Sequence, residues 1–240
     1  MFRHLACGRN YTCARSHGTC TALNYARISG EKDTLVDGWK RAGFDVQDGK
    51  IKIGFMEFEL AHGRPISVDF LKFQNLPENV ETINSSIQVG GNNARTTDVE
   101  HPNGIFRVDH IVIRTTEIHK VEKSLSSELN LTLRRRAVRD DGTSSMLFYR
   151  EPGEPEAPII EVVAAPPKSE GGHATYVWGL ALVANDLERL RVSVGEEYTS
   201  EIRSAKQAGR SICTIKGIEL GTKVAVMTPH RDRRRQNSKL

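Results

Sequence analysis

From His101 to Ala165 the chain reads HPNGIFRVDHIVIRTTEIHKVEKSLSSELNLTLRRRAVRDDGTSSMLFYREPGEPEAPIIEVVAA, and this stretch decides the fold. Phe106–Arg114, FRVDHIVIR, is rich in β-branched residues and can set every second side chain against a core, which predicts a strand. Glu117 to Glu128 carries Ile118, Val121 and Leu125, with Leu129 just beyond, at the spacing of one helix face. Strands are then expected at Leu131–Val138, Ser144–Arg150 and Pro158–Ala164, parted by the turn-rich Asp140-Asp-Gly142 and Glu151-Pro-Gly153. The order is βαβββ.

Two polar residues interrupt apolar strands in this frame. His110 lies in the first strand and Glu161 in the last, each flanked by aliphatic residues. A carboxylate in such a setting must face water, pair with a partner or bind a metal, because burying it alone is costly. Composition leaves solvated faces and a shared site both open for these two residues.

A strand with His near its start, a helix, and three strands ending in apolar-Glu-apolar resembles the glyoxalase/bleomycin-resistance module of the vicinal oxygen chelate superfamily. The words VDHIVI and IIEVV, and later WGLALVANDLE and AGRSICTI…VAVMTP, are similar to its glyoxalase-like members from His101 to Pro229. The resemblance implies an α+β fold in which tandem βαβββ modules form a curved mixed sheet or incomplete barrel. It also implies a divalent metal held by ligands from the first and last strand of each module. That metal would act as a Lewis acid on two adjacent substrate oxygens, with Glu161 doubling as a general base.

The same resemblance sets out two ligand arrangements. If the central and last modules pair, Gly179 falls at the His110 position and Val226 at the Glu161 position, leaving His110 and Glu161 alone. If the first and central modules pair, Glu59 joins them, with Asn24 a poor fourth. Nitrogen and oxygen donors of this kind suit Zn, Ni, Mn or Fe without a basis to choose. The function implied is a metal-dependent lyase, isomerase or dioxygenase acting on a small oxygen-chelating substrate. The alternative is a catalytically inactive glyoxalase-fold subunit or binding protein of a mitochondrial assembly.

The flanks add organisation. Residues 1–20 contain Arg3, Arg9 and Arg15, and no acid appears before Glu31, the composition of an organellar transit segment. A mitochondrial address is therefore expected, with the cytoplasm as alternative. Residues 21–76 echo the central module as a degenerate copy, with a strand at Thr21–Ile28, a helix at Lys32–Ala42, a strand start at Gly43–Val46 and extended chain at Lys50–Phe55, Met56–Ala61 and Arg64–Phe73. Residues 77–104, rich in Asn, Gly, Ser and Thr, read as a linker or long loop. The central module occupies 105–165, the last 174–229, and 230–240 form a basic tail. In the last module Asn185 is the expected helix N-cap.

Net charge is +4 across 240 residues, much of the excess sitting in Arg134–Arg136 and Arg231–Arg235. No aromatic residues interleave these clusters, so nucleic acid is not the expected partner. A small-molecule substrate or protein partners are, with a homodimer open. No apolar run approaches the ~20 residues of a transmembrane helix. Cys7, Cys13, Cys20 and Cys213 lack C-x-x-C spacing and read as free thiols. Arg210, at a strand entrance, could grip a substrate carboxylate or lie on the surface. Trp178 is a core or cleft-wall residue and, with Arg210, a candidate for binding substrate. His101 and His62 read as loop residues, and His119 as solvent-facing.

Overall fold

The computed structural model describes residues 22–230 apart from 64–66, 75–79, 85–86, 92–98, 152–155 and 167–174. The transit-like segment and the arginines of the basic tail lie outside the described residues. The first half of the chain runs β1 (Ala22–Gly30), α1 (Lys32–Arg41), β2 (Lys50–Ile53), β3 (Met56–His62), β4 (Ser67–Gln74), β5 (Thr82–Ile83) and β6 (Ile87–Gly91). The second half runs β7 (Ile105–Thr115), α2 (Ile118–Lys123), β8 (Leu133–Val138), β9 (Ser144–Tyr149) and β10 (Ile159–Ala164). It closes with β11 (Thr175–Ala184), α3 (Leu187–Val194), β12 (Arg203–Ser204), β13 (Ser211–Ile215) and β14 (Lys223–Met227).

These strands make two mixed sheets, ordered β2-β3-β1-β4-β6-β5 and β12-β13-β14-β11-β7-β10-β9-β8. In the second sheet β7 and β11 lie side by side and antiparallel, and each pairs in parallel with the last strand of its own module. The sheet therefore has an internal two-fold: the central and last modules pair, and the α+β, tandem βαβββ architecture is present. The first sheet repeats the plan in shortened form, with β1 and β4 in the middle, β3 parallel to β1, and β6 parallel to β4. The stretch 77–104 is thus more than a linker. Its Ile87 and Val89 are apolar at period two and buried, and they supply the core of β6.

Local chemistry sets the element ends. Glu31 caps α1 by accepting from the Thr34 amide at 2.9 Å. Asp186, rather than Asn185, caps α3, accepting from the Glu188 and Arg189 amides at 3.0 Å. The helix expected to reach Glu128 is α-helical only to Lys123 and finishes as a π-turn over Ser124–Glu128. Gly43–Val46 forms no strand. Gly43 takes a positive φ of 78° and the chain loops to a lone bridge between Gln47 and Lys50.

One apolar core runs through both sheets, from Leu35, Trp39 and Phe58 to Ile111, Val121, Leu182 and Leu190. The halves are locked where α1 meets the loop before β14. The Trp39 indole donates to the Leu220 carbonyl at 3.1 Å. At Gly38 an added Cβ would stand 2.0 Å from the Glu219 carbonyl oxygen, so only glycine permits this approach. His101 is a second lock: buried, it accepts from the Asp45 amide through Nδ1 at 3.1 Å and meets the Lys52 carbonyl through Nε2 at 2.9 Å. Burial lowers its pKa, so it stays a neutral connector.

Candidate active site

Cross-strand partners point to the same side of a sheet. His110 pairs with Ile159 and Ala181, Val112 with Glu161 and Gly179, and Gly179 with Lys223. His110, Glu161, Arg114 and Lys223 therefore share one face of the eight-stranded sheet. Ile111, Ile113, Ile160 and Val162 occupy the other and are buried on the side where α2 packs.

Strict alternation would send Asp109 to the helix side. The register shifts instead: Val108 pairs with Leu182 and His110 with Ala181, so Asp109 is the extra residue of a β-bulge. A bulge re-aims its side chain, and here it brings Asp109 onto the same face as His110. Trp178 is the extra residue of a second bulge, between Val177 and Gly179 in β11.

The resulting geometry is a short chain of charges. His110 Nδ1 lies 2.9 Å from Asp109 Oδ2, and His110 Nε2 lies 3.3 Å from Glu161 Oε2. The side chains of His110 and Glu161 are 13% and 14% exposed, open to solvent at their tips. Asp109 is desolvated, which pushes its pKa up, but contacts with His110 and Arg210 outweigh that and hold it well below the usual carboxylate range. An ionised Asp109 only accepts, so Nδ1 carries the imidazole proton. A neutral His110 turns its Nε2 lone pair to the Glu161 carboxylate across 3.3 Å, and a protonated one forms an ion pair with it. Burial raises the pKa of Glu161 above its ordinary value. Two acceptors this close require a proton or a cation between them.

Arg210 does not lie on the surface or in reach of a ligand. Its side chain is fully buried, with Nη2 3.0 Å from Asp109 Oδ1, a charge contact though not aligned as a hydrogen bond. Its Nε donates to the Thr228 carbonyl at 2.6 Å and Nη1 to Gln207 at 2.5 Å. The guanidinium neutralises Asp109, so it cannot grip a substrate carboxylate as expected. Trp178 is 37% exposed and lies on the site's face, a wall residue rather than core.

Glu59 stands apart, on β3 of the first sheet, where it accepts a hydrogen bond from the Tyr25 hydroxyl. Since Glu59 pairs with Arg27 and Glu57 with Tyr25, the residue matching His110 there is Tyr25, and Asn24 is the bulged residue before it. The ligand set with Glu59 and Asn24 is not assembled. In the last module the register puts Gly179 at the position equivalent to His110 under the internal two-fold. It places Ala225, not Val226, at the Glu161 position, because Val226 pairs with Leu182 and faces the helix side. An added Cβ at Gly179 would lie 2.8 Å from the Lys223 carbonyl oxygen, so this backbone excludes any ligand there. His119 is exposed, as expected.

The donor set fits a divalent ion at two corners. Ligands about 2.0–2.2 Å from one ion are mutually about 3 Å apart, and Nε2 and Oε2 are spaced 3.3 Å. Asp109 on Nδ1 is the arrangement that orients a metal-binding histidine. Among the described residues, no cluster of three or more His, Cys, Asp or Glu completes the site. Asp109 was missed in the sequence because a period-two reading has no signal for a bulge.

Solved structures are similar to this chain. An extradiol ring-cleaving dioxygenase from B. fuscum matches with TM-score 0.60 and 11% identity, covering 88% of this chain and 72% of its own. A mutant of 4-hydroxymandelate synthase from Streptomyces coelicolor matches with TM-score 0.57 and 9% identity, covering 89% and 94%. A fusion of a xylose isomerase-like TIM barrel and 4-hydroxyphenylpyruvate dioxygenase matches with TM-score 0.61 and 8% identity over 92% of this chain, which spans 51% of that one. No family model and no curated protein sequence matches. The chain has the vicinal oxygen chelate fold.

Proposed function

We propose that the protein is a vicinal oxygen chelate enzyme, a lyase, isomerase or dioxygenase, that acts on a small substrate bearing two adjacent oxygens with help from a divalent metal. The observation that carries this is the approach of His110 Nε2 to Glu161 Oε2, 3.3 Å apart on one face of the sheet. His110 and Glu161 would hold the ion, leaving the rest of its coordination to substrate and water. Bound there, such an ion supplies Lewis acidity to the substrate oxygens. Asp109 fixes the imidazole tautomer and ring plane, and Arg210 keeps Asp109 ionised. Glu161, its proton affinity raised by burial, is the group suited to accept a substrate proton.

A second reading follows from Gly179 and Ala225. With no ligand from the last module, the fold would serve as a binding subunit, and the space between His110 and Glu161 would hold a proton. The mitochondrial address belongs to both readings. Metal analysis after incubation with Zn, Mn, Ni or Fe(II) separates them. About one ion per chain is expected in the wild type, and none above background in His110→Ala or Glu161→Gln. Failure of every metal to load stoichiometrically would leave the binding subunit in its place.

A further inference from the structure

We infer that Trp178, Arg114 and Lys223 form an anion-recognising subsite beside His110 and Glu161, so that the substrate is a small molecule with a flat apolar part and a carboxylate or phosphate. This rests on the enzyme reading for its place in a reaction, but not for its existence. Lys223 Nζ stands 5.4 Å and the Arg114 guanidinium carbon 5.7 Å from the Trp178 ring centre. The β11 bulge is what delivers the indole to this face, where it remains 37% exposed.

The register ties the trio to the site. Lys223 is joined through Gly179 to Val112, and Val112 to Glu161, so these residues form one row across four strands. Arg114 lies two residues beyond Val112 on the same face, paired with Tyr176. Among the described residues neither cation has a carboxylate partner, and Arg114 Nε is buried without an acceptor. Arg27, Arg136 and Arg210 are each met by a carboxylate, from Asp69, Glu122 and Asp109. Both cations lie against the one ring, and an anion that reaches both would be held by two positive charges. The exposed indole offers a flat apolar surface to the rest of that ligand.

Of the two tryptophans, Trp39 is buried, so a ligand on this face changes chiefly the Trp178 emission. Benzoate, phenyl phosphate and benzamide, titrated into the full chain by fluorescence and calorimetry, test the subsite. Benzoate or phenyl phosphate should bind saturably and benzamide at least about tenfold more weakly. Arg114→Gln and Lys223→Gln should each weaken the anion by about ten- to a hundredfold, and Lys223→Arg should retain it. The better of the two anions identifies carboxylate or phosphate. Equal binding of benzamide, unchanged affinity in both Gln variants, or no binding of either anion overturns the proposal. Anion binding without metal loading would instead sink the enzyme reading and leave this one standing.

Discussion

The two sheets carry the same device with different chemistry. In the first, bulged Asn24 precedes Tyr25, which hydrogen-bonds Glu59. In the second, bulged Asp109 precedes His110, which meets Glu161. The Tyr25 hydroxyl brings its own proton to the carboxylate. Burial first, and then the bond to Glu59, raise its pKa, so the phenol stays neutral. That pair is closed. In the second sheet His110 Nδ1 meets Asp109, and Nε2 is turned toward Glu161. That pair is open to a proton, a metal or a substrate. The lesson is that a site in this fold is made by where one proton is spent, more than by the number of polar residues gathered.

The comparison breaks most visibly at Arg210, the buried guanidinium beside Asp109. Arg210→Met takes the nearer guanidinium from buried Asp109, leaving it His110 at 2.9 Å and Arg107 at 3.9 Å, and a loss of about 3 kcal/mol is expected in urea unfolding. The sign of the pH dependence follows from Asp109, whose folded pKa lies below its ordinary 3.8. Its stabilisation in the metal-free wild type is fully present above 3.8 and is lost as pH falls from there through the lower folded pKa. In the variant, protonation removes the penalty, so the gap between the two proteins should narrow toward pH 3. A gap that widens with acid would mean Arg210 stabilises something other than Asp109.

A smaller effect should come from Gly179→Ala. The new methyl must displace the Lys223 carbonyl, at a cost of about 1–3 kcal/mol in thermal unfolding. The matching position of the first sheet is Phe70, and there the partner strand makes room with Gly90. A neutral Gly179→Ala would show that the last module could recover a ligand. The smallest effect is expected from Tyr25→Phe, which removes one hydrogen bond, about 1 kcal/mol, and leaves metal content unchanged. A fall in metal content would mean the two pairs are not independent.

The sequence made much of this legible. Alternation and helical period located the central and last modules, because their strands are long and half-apolar. His110 and Glu161 stood out because polar groups in aliphatic strands are costly. The shortened β5 and β6 were hidden by the glycines that end β6 and the asparagines that flank the two strands, which signal loop whatever the sheet does with them. Asp109, Tyr25 and the Ala225 position depend on register, and register shifts by one residue leave no mark in composition. Arg210 was misread because a guanidinium at a strand entrance looks the same whether it faces water or a buried acid.

The docking of α1 on the loop before β14 has a thermodynamic consequence. Because Gly38 and Trp39 of the first half rest on Glu219 and Leu220 of the last module, neither half can melt without stripping contacts from the other. Calorimetry should therefore record a single cooperative endotherm, and a fragment beginning at β7 would lose part of its own support along with its neighbour.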